Sequence, residues 1–506
     1  MPNNEKYDVI IGLEIHAELK TKSKMFCRCD NDAHGKEPNT TVCPVCLGHP
    51  GTLPYPNRQA IEWTILIGLG LDCQVNRLSK FDRKNYFYPD LPKGYQISQY
   101  DLPLVFDGRM DVGSEEIKIT RIHLEEDTGK LIHPDGSPHT LADFNRAGTP
   151  LMELVTEPVI RDAGTAKKFC RVFQQILRYL DVSNADMEKG EMRCEANVSV
   201  QAKGRWEYRG HCEIKPLGDY RLNPKVELKN INSFRAIEKA IEYEAGRQIA
   251  AIEEGEKLFQ ETRGWNDQKG ETFSQRAKET SADYRYFPEP DIPPLHIDEA
   301  WIDEIKTGLV ELPHKKLKRF MAEYDLSEYD AELLVGDRDL ADYAEQVISE
   351  LRAWIDAGGD NWERQKKKLA KTTANWLLSE LFKHLKERNE DMKNLKITPE
   401  NFAELITLVY REKINSSAGQ KILEAMYQSN ESPAHLMASL GLEQLDDAAA
   451  LEKIVREVLD KNPAQAEQYK KGKTNILQFL VGQTMAASKG KANPKTVMDL
   501  LQKFLS

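Results

Sequence analysis

Several stretches of the chain place carboxylate, imidazole or thiol groups at spacings that can hold a cation. From Tyr7 to Leu19 (YDVIIGLEIHAEL), Val9, Ile11, Leu13 and Ile15 alternate with Ile10, Gly12, Glu14 and His16. That period of two reads as a strand, so Glu14 and His16 share one face of an otherwise apolar element. A carboxylate and an imidazole there need a partner: either neighbouring polar groups satisfy them, or a bound cation does. In ITRIHLEEDTGK, His123 and Glu125 share a face, while Glu125, Glu126 and Asp127 form an acidic knot that repels itself unless solvated or neutralised. Glu153 (PLMELV) and Glu195, Asn197 and Ser199 (RCEANVSV) repeat the pattern, and Arg193 offers a clamp for phosphate or carboxylate. Among these, Glu14, His16, Glu125 and Glu153 form the candidate Mg²⁺ set, since hard cations prefer oxygen ligands.

A second kind of cluster is Cys27-Arg-Cys29, thirteen residues, then Cys43-Pro-Val-Cys46. Two close cysteine pairs suit tetrahedral Zn²⁺ in a closed structural site, and Gly48 permits the tight turn after the second pair. The stretch Phe81–Asp101 carries Arg83, Lys84, Lys93 and four tyrosines. It reads either as a polar surface loop or as a cationic lining for an anionic substrate or polar conduit. Near the C-terminus, Lys470, Lys471, Lys473, Lys489, Lys491 and Lys495 bracket an apolar segment. They form a phosphate-backbone patch or a solvated charged face.

The elements that must position these groups change character along the chain. Short β-type segments dominate to about residue 294, with helices expected at Ala163–Leu180 and from Ser233 to Glu254, ended by Gly255. No βα alternation occurs, which argues for an antiparallel or mixed sheet. FPEPDIPP (Phe287–Pro294) is proline-dense and is read as a domain boundary. Beyond it come helices, among them Leu340–Ala357 and one capped by Thr398 with Pro399 at its first position. The expected class is α+β: an antiparallel or mixed-sheet catalytic domain over 1–294 with a zinc hairpin near 27–46, a helical domain over 295–398, and a small helical tail over 399–506.

With 506 residues, 40% apolar and 30% charged, the chain has material for several cored domains. A net charge of −11 excludes a uniformly cationic surface but leaves room for local basic patches. No apolar run reaches membrane-spanning length and no signal peptide is recognised. Eight dispersed cysteines do not describe a secreted disulfide scaffold. The expected compartment is the cytoplasm. Walker A, kinase glycine-loop and G-x-S-x-G sequences are all missing.

GLEIHAEL, FDRKNYFYPDLPKGYQISQ, HLEEDTGK, DFNRAGTPLMELVTEP, MRCEANVSV, ELKNINSF and ADYRYFPEPDIPP occur in this order. They resemble the B-subunit family of the bacterial aspartyl/glutamyl-tRNA(Asn/Gln) amidotransferases. FLVGQTMAASKGKANP resembles the YqeY-like tail of that family. The archaeal relatives' synthetase-like insertion has no room here. The resemblance implies ATP- and Mg²⁺-dependent phosphorylation of the side-chain carboxylate of Glu-tRNA(Gln) or Asp-tRNA(Asn), followed by amidation. The ammonia would come through a tunnel from a partner amidase, the A subunit, with a small third chain, the C subunit, wrapping the pair. It implies that Glu14, His16 and Glu125, with Glu126 and Glu153, match the metal and kinase-site residues. Lys84, Lys93 and Arg193 match polar residues at the tunnel's end, and the tail would bind tRNA. A tRNA-binding scaffold without its own kinase chemistry is the alternative.

Overall fold

The computed structural model describes residues 5–113, 115–277, 283–443, 448–488 and 491–505. They divide into two compact units, Met1–His314 and Lys315–Ser506. The first is built on a nine-stranded sheet. Its strands are β1 (Tyr7–Glu18), β2 (Gln74–Val75), β3 (Val105–Val112), β4 (Glu115–Glu126), β5 (Pro150–Thr156), β6 (Met192–Ala202), β7 (Val226–Lys229), β8 (Glu261–Asn266) and β9 (Glu271–Ala277). The order β9-β8-β7-β6-β1-β5-β4-β3-β2 puts β1 at the centre. Neighbours are antiparallel except the β7–β8 pair, so the sheet is mixed, as the missing βα alternation implied.

The alternation in β1 becomes two different faces. Ile11, Leu13, Ile15 and Ala17 are fully buried in one continuous core with residues of α1 (Arg58–Gly70), α2 (Ala163–Tyr179) and α3 (Phe234–Glu253). Asp162 caps α2 by accepting from the Thr165 amide at 2.8 Å, and Ser233 caps α3 by accepting from the Ala236 amide at 3.1 Å. In β4, Ile117, Ile119, Ile122 and Leu124 all enter this core although their spacing changes parity. The register slips opposite the Val155/Thr156 step, where β4 carries one extra residue. That bulge returns Ile122 and Leu124 to the apolar face and leaves His123 and Glu125 on the other.

The proline-dense stretch belongs to this unit and is no boundary between it and the helices beyond. Phe287–Pro288 pairs with Asp82–Arg83, and Leu295–His296 pairs with Leu78–Ser79. Ile292, Ile297, Ile302, Ile305 and Leu312 join the main core. Proline is compatible with short edge pairing, so its density marked an edge and not a linker. Phe81–Asp101 is likewise more than a loop, since Asp82–Asn85 and Tyr95–Ser98 pair antiparallel.

The second unit is helical. Residues on both sides of Thr398 share one core, from Phe320 through Leu351 and Phe402 to Leu436, so no gap in packing falls there. A smaller separate core joins Leu451, Val455, Leu477, Leu480, Val497 and Leu501.

Candidate active site and metal centres

Strand register assembles the polar face of the sheet. Across β4, β5, β1 and β6, His123 stands opposite Glu153, Glu153 opposite His16, and His16 opposite Arg193. One pleat along β1, Glu14 stands opposite Glu195, and β7 brings in Glu227 opposite Asn197.

Two acidic sets result. In the first, His16 Nε2 lies 3.2 Å from Glu153 Oε2 and 3.7 Å from Glu125 Oε1. His123 Nε2 approaches Glu153 at 3.4 Å, while its buried Nδ1 has no partner among the described residues. One donor atom each from His16, Glu125 and Glu153 falls within 4.8 Å of the others. In the second set, Glu14, Glu195 and Glu227 meet the same limit. Asn197 donates to Glu14 at 2.8 Å, and Lys229 lies 2.9 Å from Glu195. Burial first, then Glu153, Glu195 and Glu227, raises the Glu14 pKa. A cavity of ≈ 230 Å³ opens beside this set, walled by Ile10, Leu13, Pro158, Ile214 and Leu222, with Glu14, Asn197 and Lys225 among its polar lining.

In the first set the carboxylates favour a proton on His16. Burial alone would lower His16, but the charge of Glu153, its hydrogen bond, and Glu125 carry it up to about 9. At Glu153, the two histidines outweigh burial and hold the carboxyl well below its usual range. Because the folded value of His16 lies above its unfolded value, its stabilising contribution to the metal-free protein is complete below about pH 6.5. It is lost as pH rises through about 9. A cation held here would have to displace that proton, so its affinity is expected to strengthen by up to about tenfold per pH unit below this value. Thermal shift with MgCl₂ checks this: stabilisation is larger at pH 8.5 than at pH 6.5, and equal shifts at both would contradict it.

The remaining predicted residues sort around this row. Lys84, half-buried, stacks over Tyr284 at 5.2 Å. Burial would depress it, but Glu125, Tyr286 and Glu153 more than reverse that, so it stays cationic beside the first set. Glu126 points to the opposite face, where it pairs with Lys93 and accepts from the Ile97 amide at 3.0 Å. Glu126 and Lys93 are thus not brought to the His16 set. They line a small cavity shared with Cys27 and Cys46. Arg193 pairs with buried Asp127, which Arg146 also faces at 3.7 Å. Burial and then Asp127 raise Glu18 to about 8, whereas Arg193 and Arg146 outweigh burial at Asp127 and keep it low.

Cys27, Cys29, Cys43 and Cys46 converge, with one sulfur each within 4.8 Å of the others. The Cys43 amide donates to Cys46 Sγ at 3.1 Å. The Cys27 thiol's hydrogen bond is the largest influence lowering Cys46, to about 5, and Cys27 is raised in return. Gly48 has φ +67°, and a Cβ there would lie 2.3 Å from Lys93 Cγ. Four convergent thiols with an amide turned on one sulfur fit a tetrahedral metal. In the tail, Lys470, Lys471, Lys473 and Lys495 are exposed and Lys491 is half-buried. Lys489 lies outside the described residues.

Glu14 shares the face of His16, as alternation required, yet joins a different set. Glu195, Glu227 and His123 were not among the predicted ligands. The alternating VELK of β7 carried the signal for Glu227, but its neighbour across the strand did not follow from it.

Residues 9–303 match the family model described as the GatB/GatE catalytic domain, and residues 362–505 match the one described as the GatB domain. The chain is 47% identical to the B subunit of the aspartyl/glutamyl-tRNA(Asn/Gln) amidotransferase of Dehalococcoides mccartyi, over 99% of both chains. It is 44% identical to the proteins of the same name from Thermodesulfovibrio yellowstonii, over 99% of both, and Persephonella marina, over 99% of this chain and 100% of that one.

Proposed function

The chain belongs to the GatB/GatE catalytic-domain family, and we propose that it amidates the side-chain carboxylate of Glu-tRNA(Gln) or Asp-tRNA(Asn) after activating that carboxylate with ATP. The observation that carries this reading is the row of His16, Glu125 and Glu153 with Lys84 beside it. A carboxylate cannot expel oxide, so it must first become an acyl phosphate. A carboxylate oxygen bonds to the γ-phosphorus of ATP as ADP departs. Ammonia then bonds to the carbonyl carbon, and phosphate leaves with the electrons of the C–O bond.

His16, Glu125 and Glu153 would hold one Mg²⁺ and Glu14, Glu195 and Glu227 a second, and Mg²⁺ there supplies charge neutralisation for the phosphates. The chain's own groups do the rest. Lys84 sets a fixed positive charge against the anionic substrate. The apolar walls around Ile10 and Leu222 suit the nucleoside, with Glu14 at hand for the metal that its phosphates bring. Lys93 and Glu126 offer a buried polar passage for ammonia delivered by the partner amidase (the A subunit), with the small C subunit completing the complex. The reconstituted complex is expected to amidate misacylated tRNA with ammonium chloride in place of glutamine, but only with ATP and Mg²⁺. Amidation without ATP would refute the activation step.

The tail is assigned to the tRNA backbone through its exposed lysines. Replacing Lys470, Lys471 and Lys473 by alanine is expected to weaken tRNA binding and to flatten the slope of log K against log salt. The expected loss is about 0.7–0.9 for each phosphate contact removed. Filter binding at graded salt measures it, and an unchanged slope leaves these lysines as a solvated face.

A further inference from the structure

Lys24 is a charged side chain with no solvent access at all, 0% exposed. Its ammonium donates to the carbonyls of Ala147 at 2.8 Å and Phe144 at 3.4 Å. Among the described residues no carboxylate pairs with it, and the nearby Glu126 is already taken by Lys93. A buried ammonium held only by carbonyls is expensive unless a negative charge lies close.

The cysteine cluster supplies that charge. The backbone N–H of Lys24 donates to Cys29 O at 3.0 Å, which ties the residue to the knuckle. Gly148 (φ +89°) is flanked by both partners, since a Cβ there would sit 3.4 Å from Cys46 Cβ and 3.5 Å from Lys24 Cδ. Four thiolates around one Zn²⁺ carry a formal charge of −2, and Cys46, the cysteine beside Gly148, is 5% exposed.

We propose that Lys24 is the buried counter-cation of a zinc–tetrathiolate site and couples that site to the Phe144–Thr149 turn. The coupling has a visible route. Met25 N–H donates to Gly148 O at 2.7 Å, Gly148 N–H to Asp127 O at 2.9 Å, and Asp127 N–H to Thr149 O at 2.8 Å. The turn also carries Arg146, which faces Asp127. Zinc occupancy therefore steadies the end of the strand that bears Glu125. Lys24 is a positioning residue in this scheme, and the inference rests on the reading of the four cysteines as a zinc site.

The test uses the full chain. Zinc content is measured first. Then Lys24→Met, which keeps the length of the side chain and removes its charge, is challenged with a metallochromic chelator. Zinc is expected to leave the variant about tenfold or more faster than the parent, the scale on which groups around metal ligands act. In parallel, stripping zinc from the parent is expected to raise hydrogen exchange at Met25, Asp127 and Gly148 but not within α2, a result that does not depend on the variant folding. Release at the parental rate, or unchanged exchange at the turn, overturns the proposal while leaving the zinc site standing. A parent that purifies without zinc overturns both.

Discussion

Glu125→Gln is expected to cost about a thousandfold or more in ATP-dependent amidation while leaving the protein folded. Glu125 is 2% exposed and its side chain keeps its shape in the amide. Ser98 Oγ, which donates to Glu125 Oε2 at 3.2 Å, can donate to the amide oxygen as well. What disappears is charge. The variant removes one of two carboxylates converging on His16 and the largest influence holding Lys84 cationic against burial. A cation at the set loses one anionic ligand, and the phosphates lose the charge that would hold them in line. If a partner amidase hydrolyses glutamine and the tail binds tRNA, as proposed, both activities should be unaltered. Measuring the three activities on one reconstituted preparation separates the outcomes. Normal amidation in the variant would move the activation site elsewhere, and loss of all three would indicate misassembly.

The second large effect is structural. Arg193→Met is expected to destabilise the first unit by about 2 kcal/mol at neutral pH. Breaking a fully buried ion pair costs more. The value is discounted because the Arg193 side chain is 36% exposed and Arg146 still faces Asp127. Asp127, with a side chain 2% exposed, would be left anionic beside Glu18. The pH dependence has a definite sign. The depressed pKa of Asp127 contributes stability above its unfolded value, near 4. The contribution is lost as pH falls through the lower folded value. The parent and variant should therefore converge toward acid pH. Urea unfolding at pH 7.5 and at about pH 3.5 measures both points, and Asp127→Asn added to Arg193→Met should recover part of the loss. A pH-independent difference would assign Arg193 to packing through its stem.

These effects could be anticipated from sequence to different depths. Elements with local punctuation were legible nearly to the residue. The strand expected at Tyr7–Leu19 runs Tyr7–Glu18, and the helix expected at Ala163–Leu180 runs Ala163–Tyr179. Thr398 caps its helix by accepting from the Asn401 amide at 3.3 Å. Each is fixed by periodicity and a cap, which are properties of a few neighbouring residues. The same holds for the face shared by Glu14 and His16, since a strand has only two faces.

Which neighbour completes each site is another matter. Glu14 meets Glu195 and Glu227, and His16 meets Glu125 and Glu153, because of register between strands far apart in the chain. Alternation cannot supply that register. Glu126, grouped with the metal and kinase-site residues by the resemblance, instead lies on the face opposite Glu125 and pairs with Lys93 on the cysteine side. The edge pairing of Phe287–Pro288 was hidden because proline content looks the same in a linker and in a short edge strand.

ATP is expected to activate the tRNA-borne carboxylate at the His16, Glu125 and Glu153 set before ammonia arrives. Misacylated tRNA carrying ¹⁸O in its side-chain carboxylate tests it directly. In the reconstituted complex, each amide formed should release one phosphate bearing one ¹⁸O atom. Glu125→Gln should release neither product. Amide formed with unlabelled phosphate would show that the carboxylate was never phosphorylated and would contradict the account.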